Sequence, residues 1–164
     1  MRTAGVLVAC VAGIGCEVGT VEIDDATLDR VASYHAMSRL NAQPYLSTLG
    51  PFKVNCFVEG DVADYRKLDP DRPGANVTMA RGTMIVREVL DDAGQVSKLT
   101  VMTKGPPGYD PSLGDWWFAV TDPRGMPLEE NGTLLVGRLA QCHDCHRERT
   151  RDDFLFGVPS AAHW

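Results

Sequence analysis

Cys142, His143, Asp144, Cys145 and His146 form a C-x-x-C-H run, the spacing at which a chain attaches a c-type haem covalently. Two thiols at this separation reach two vinyl groups of one porphyrin, and the histidine after the second cysteine becomes an axial ligand of the iron. The cofactor expected is one haem c per chain, tethered by Cys142 and Cys145, with His146 as the proximal ligand and hence the metal-binding residue. Two other chemistries use the same residue types. A tetrahedral zinc site would take Cys142, Cys145 and a neighbouring histidine, but structural sites usually draw a second ligand pair from elsewhere. The remaining cysteines, Cys10, Cys16 and Cys56, are isolated, and His35 and His163 are single and distant. A redox-active Cys142–Cys145 disulfide would want a βαβ context at a helix N-terminus, whereas residues 133–141 read as a helix body.

Length and charge fit a small exported haem protein. At 164 residues the chain suits one domain with a real core. Its 16 basic and 22 acidic side chains give a net charge of −6, which argues against a nucleic-acid partner, whose phosphates demand clustered Lys and Arg. The one basic cluster, Arg147, Arg149 and Arg151, alternates with Glu148, Asp152 and Asp153 and reads as a solvated stretch or as a partner for a haem propionate. Haem c is attached outside the cytoplasm, so an export signal is expected. Residues 1–16 supply Arg2 and a short apolar run, too short to span a bilayer and suited to a signal sequence. Cys16 or Cys10 is placed where a bacterial lipoprotein carries its lipid. A simple cleaved signal is the alternative, and both put the protein on the periplasmic side, the first with a lipid anchor to the membrane.

The elements that must position the haem follow in order. Residues 17–51 read as an N-terminal helix and a connection, and 52–164 as the haem domain, with 17–164 packed as one unit. Asp24 and Asp25 suit a cap, and Leu28, Val31, Ala32, Ala36 and Leu40 recur at helical spacing, predicting a helix over 26–40. Lys53–Glu59 alternates as a strand, and 61–68 reads as a short helix. Residues 82–91 and 96–104 are β-branched runs around Asp92-Ala93-Gly94-Gln95, a hairpin. Trp116–Thr121 is a further strand, closed by the Asp122-Pro123-Arg124-Gly125 turn. The fold class expected is α+β, mainly β: an antiparallel sheet with flanking helices and a C-terminal haem-binding helix.

Over residues 52–158 the chain resembles the cytochrome P-460 and cytochrome c′-beta family. The markers are Gly82-Thr83-Met84-Ile85-Val86-Arg87-Glu88, the strand ending in Lys104, Gly114-Asp115-Trp116-Trp117-Phe118, and the haem run followed by Asp152-Asp153-Phe154-Leu155-Phe156. The resemblance implies a frequently dimeric antiparallel sheet, His146 on the iron and an opposite face open to small molecules. Members either oxidise hydroxylamine and related nitrogen species or bind nitric oxide and similar gases. The oxidising branch carries a lysine-to-porphyrin link at the position of Arg87. A guanidinium stays protonated and is a poor nucleophile, so that link is not expected here. A carboxylate assisting proton transfer in some oxidising members falls at Thr100, which cannot act as a base.

On the distal side the candidates are Arg87, Thr100 and Phe57. Arg87 either donates hydrogen bonds to a bound anion or gas or is a solvated strand residue. Phe57 either supplies an apolar lid or packs in the core. Met37, Met79, Met84, Met102 and His35 are each a sixth ligand or ordinary packing. Cys56 reads as a small buried hydrophobe. Three functions follow from these alternatives. One is an open-site protein binding or redox-processing small nitrogen species such as nitric oxide. Another is an oxidoreductase acting on hydroxylamine or peroxide, which needs a general base at the site. The third is a six-coordinate electron carrier passing electrons to an unidentified redox partner.

Overall fold

The computed structural model describes residues 25–48 and 50–164. The export segment 1–16, with Cys10 and Cys16, and the capping Asp24 lie outside them. The chain begins with α1 (Asp25–Ala32), then the short strands β1 (Ser38–Arg39) and β2 (Tyr45–Leu46) and the long β3 (Lys53–Glu59). A single-turn helix, α2 (Val62–Tyr65), leads through a loop to β4 (Met84–Leu90), β5 (Val96–Lys104) and β6 (Trp116–Thr121). Three two-residue strands follow, β7 (Glu129–Glu130), β8 (Thr133–Leu134) and β9 (Val136–Gly137), and then α3 (Ala140–His146) carries the cysteine run. The fold is α+β and mainly β.

The sheet is antiparallel in the order β1-β3-β4-β5-β6-β9, with β2 sharing the edge of β3. Antiparallel sheets often leave one face in water, but this one is covered on both. Val54, Cys56, Val58, Ile85, Met102 and Phe118 pack towards α2 and the C-terminal segment, with Leu155 and Val158. Phe57, Met84, Val86, Leu99 and Trp117 pack on the other side with Val31 and Tyr34. Double coverage explains why β3 and β4 are buried almost end to end.

Register decides which residues share the site face. Directly opposed residues lie on the same side of a sheet. Cys56 opposes Arg87, Arg87 opposes Thr100, and Thr100 opposes Val120, making one row across four strands. The next row on that face is Val58, Ile85, Met102 and Phe118. Phe57 belongs to the intervening row with Val86, Val101 and Ala119. The hairpin between β4 and β5 closes at Asp91, whose carboxylate accepts from the backbone N–H of Ala93 and of Gln95.

Two helical expectations are corrected. The helix predicted over 26–40 stops at Ala32, followed by a 3-10 turn at Tyr34–Ala36. From Ser38 the chain pairs with β3 instead, and the Leu40 amide donates to the Cys56 carbonyl at 2.9 Å. Residues 133–141 are not a helix body: β8 and β9 occupy four of the nine, and α3 begins only at Ala140. Asn131 and Gly132 take φ of 51° and 78°, the geometry of a tight hairpin turn between β7 and β8. Gly137, at φ 95°, could not continue a right-handed helix.

Candidate functional site

The two cross-strand rows form the floor of a cleft, with Ile85, Arg87, Thr100, Met102, Phe118 and Val120 all lining it. Its roof is α3, through Gln141, Cys142, Cys145 and His146, with Tyr65 and Leu155 closing the sides. The cavity volume is about 190 Å³, smaller than the roughly 300–1,000 Å³ of typical ligand sites. The walls are mainly apolar, and among the described residues no Asp or Glu lines them.

Helix α3 is short, and Leu139 at its N-terminal boundary is held in an extended conformation by the approach from β9. Cys142 and Cys145 are free thiols in its two turns. Burial and the neighbouring Cys145 push the Cys142 thiol up to about 11, so it remains a thiol at neutral pH. Because α3 starts only at Ala140, the cysteines do stand near a helix N-terminus, contrary to the helix-body expectation. The βαβ context of a redox disulfide is nonetheless missing from the sheet, whose strands are antiparallel. His143 is near the surface, with its Nε2 3.2 Å from the Ser112 hydroxyl.

His146 is buried, 6 % exposed. Its ring meets Phe118 and Phe156 edge-on, at centroid distances of 5.3 and 5.1 Å. Nδ1 lies 2.5 Å from the Phe154 carbonyl oxygen. A carbonyl can only accept, so Nδ1 carries the proton and Nε2 keeps the lone pair. Burial holds the imidazole down at about 4; the Phe154 hydrogen bond opposes it less strongly, and the positive charge of Arg87, the smallest effect, assists it. The ring is therefore neutral at pH 7, the state and tautomer that a metal ligand requires. Two thiols and such an imidazole on apolar walls are the donor set that a covalently held haem requires.

The Phe154 carbonyl is aimed by an unusual backbone. Asp153 and Phe154 both take positive φ, 50° and 63°, which costs a non-glycine residue of order 1–3 kcal/mol. A buried ion pair holds Asp153 in place: its two carboxylate oxygens lie 2.6 and 2.7 Å from Lys104 Nζ. The Met79 amide donates to the same carboxylate at 2.7 Å, and the Trp116 indole N–H donates to the Asp153 carbonyl at 2.8 Å. The preceding Asp152 accepts from the amides of Gly74 and Ala75. The acidic pair after the cysteine run is thus a clamp between the C-terminal segment and the body of the fold.

At the other end of the cleft, Arg87 Nη2 donates to Tyr65 Oη at 3.3 Å and to the Gly157 carbonyl at 3.1 Å. Gly157 has φ +73°, and a Cβ there would lie 2.5 Å from the Leu68 carbonyl oxygen, so only glycine lets this carbonyl approach. Tyr65 Oη also lies 3.5 Å from Cys56 Sγ. Burial raises both acidic groups, the Tyr65 phenol and the Cys56 thiol.

Of the distal candidates, Arg87 and Thr100 come together in the cleft and Phe57 does not. Phe57 packs edge-on against Tyr34, 5.1 Å between centroids, on the opposite face of the sheet. A one-residue step along a strand reverses the face, and the pairing of Cys56 with Arg87 fixes that step. Among the candidate sixth ligands only Met102 lines the cleft. Met84 and Met37 pack on the opposite face, His35 stacks beside Tyr34, and Met79 packs in the core without lining the cleft. Glu88 also faces away, accepting from Tyr34 Oη at 2.6 Å and Asn55 Nδ2 at 2.7 Å. The basic cluster holds local structure: Arg149 Nη2 donates to the Pro70 carbonyl, and Arg151 Nε donates to Asn76. Tyr65 and Gln141 join the lining without any motif to announce them. No protein-family model matches this chain, and no curated protein matches it in sequence.

Proposed function

We propose that this protein is an exported c-type monohaem protein of the cytochrome P-460 and c′-beta kind, whose haem keeps one axial face open for small nitrogen species such as nitric oxide. The observation that carries the reading is the convergence of Cys142, Cys145 and a neutral, buried His146 on one apolar cleft. When bound, the haem would supply a redox-active iron able to take a small ligand, and a one-electron couple. Cys142 and Cys145 would hold the porphyrin and His146 would present Nε2, while the Phe154 carbonyl keeps the imidazole in that tautomer and orientation. Phe118 and Phe156 fix the ring by edge contacts. Ile85, Met102 and Leu155 exclude water from the cleft walls, and Arg87 and Thr100 contribute its polar groups.

Binding is favoured over hydroxylamine oxidation because a general base must come within about 2.6–3.2 Å of the proton it takes. The carboxylates nearest Arg87 along the same strand and turn are elsewhere: Glu88 is on the opposite face, and Asp91 caps the hairpin turn. Arg87 in place of the lysine leaves no nucleophile for a third porphyrin link. The electron-carrier reading keeps one supporting observation, Met102 in the cleft wall.

The reduced protein, matured with its haem, is examined by optical and resonance Raman spectroscopy before and after nitric oxide. A high-spin, five-coordinate spectrum that changes with the gas is expected. A low-spin, six-coordinate spectrum indifferent to the gas overturns the open-site reading, and its loss in Met102→Leu would assign the sixth ligand.

A further inference from the structure

The cleft contains a positive charge that its protein neighbours do not balance. Arg87 donates to a phenol oxygen and a backbone carbonyl, both neutral. No ion pair joins it to a carboxylate among the described residues, and none lines the cleft. Lys104, another partly buried cation, shows the usual arrangement, with both carboxylate oxygens of Asp153 within 2.7 Å of its Nζ. Removing a charge from water is costly unless an opposite charge joins it. Thr100 stands directly across the β4–β5 ladder on the same face and lines the cleft beside Arg87. A guanidinium offers five N–H donors, of which one nitrogen is occupied by Tyr65 and Gly157.

We propose that Arg87 and Thr100 make the cleft a site for a small inorganic anion of the nitrite or azide class. The inference rests on the proposed open haem face and names the class of ligand that enters it. The charge complement lowers the cost of the partly buried guanidinium, and the short Thr100 side chain leaves room for a ligand of a few atoms.

The ferric haem-loaded protein is titrated optically with nitrite and with azide, and the ferrous protein with carbon monoxide as an uncharged probe. Arg87→Gln is expected to weaken both anions roughly ten- to a hundredfold, the worth of a charge-assisted hydrogen bond, and to leave carbon monoxide within about threefold. Unchanged anion affinity overturns the proposal. If that unchanged affinity accompanies a shifted reduction potential in the ligand-free protein, the guanidinium serves a haem propionate instead. Should Arg87→Gln not fold, Thr100→Val is read in the same titration, where a several-fold loss for the anions supports the site and no loss overturns it. If the purified protein carries no haem, the proposed function fails by itself. The two chains are then compared by the rise in thermal midpoint with added nitrite, which the anion site predicts for the wild type and not for Arg87→Gln.

Discussion

Replacing Asp153 by asparagine tests whether the acidic clamp positions His146. Lys104 and Asp153 are 11 % and 7 % exposed at their side chains, so solvent screens the pair poorly. Asparagine fills the same volume, but turns one oxygen into an N–H₂ donor facing the Lys104 ammonium, and leaves that ammonium buried without a counter-charge. Breaking a buried pair from one side typically costs about 3–5 kcal/mol. With a urea slope of about 1–3 kcal/mol per molar, the midpoint falls by at least about 1 M. Lys104→Met leaves the complementary orphan, and the double variant Lys104→Met, Asp153→Asn is expected to cost at least about 2 kcal/mol less than the sum of the two singles. Because Asp153 sets the turn that presents the Phe154 carbonyl to His146 Nδ1, the same variants in haem-loaded protein should lower the iron–histidine stretching frequency. A single-variant cost below about 1 kcal/mol, or strict additivity in the cycle, would refute the clamp.

Gly157→Ala should destabilise by about 2 kcal/mol or more, since its φ of +73° and the 2.5 Å approach to the Leu68 carbonyl leave no place for a methyl group; an unchanged urea midpoint refutes this. Phe57→Leu should lower stability by about 1–2 kcal/mol yet leave nitric oxide affinity within twofold, because Phe57 faces away from the cleft, and a large affinity change would return it to the distal side. In protein lacking haem, His146 is held at about 4, below its ordinary 6.5. The unfolded chain therefore binds the proton more readily, so stability is fully present above pH 6.5 and falls as pH drops towards 4. The loss amounts to about 3 kcal/mol, and urea titrations at several pH values should show it reduced in His146→Gln.

The parts of the fold that announce themselves are those with local grammar. Lys53–Glu59, Val96–Lys104 and Trp116–Thr121 keep their predicted bounds as strands, because β-branched and aromatic runs there end at turn residues, with Asp91 capping the hairpin. The N-terminal helix was over-extended because Ala36 and Leu40 continue a helical spacing, while the edge of β3 captures the backbone from Ser38 onward. The run Leu134, Leu135, Val136, Leu139 imitates a helix in the same way. Asn131-Gly132 and Gly137 were the available signals against it, since Asn-Gly between strands is a strong hairpin marker.

For the site, the grouping of Cys142, Cys145 and His146 reads directly, since their spacing puts them on one short helix facing one cleft. The partnership of Arg87 with Thr100 and the exclusion of Phe57 depend on register between strands, which parity within one strand does not reveal. Tyr65 enters the cleft from α2 by tertiary packing, and nothing in its neighbours along the chain signals that role. Lys104 and Asp153 are 49 residues apart, and only the fold makes them a pair.

The most direct test of the central claim is the intact mass of the exported protein, made with a c-type haem maturation system, beside Cys142→Ala, Cys145→Ala and the double variant. The account predicts a wild-type mass greater than the polypeptide by one haem, retained after acid denaturation and organic extraction. It also predicts that the double variant carries none. A wild-type chain at bare polypeptide mass, or a haem that extraction removes intact, would contradict it.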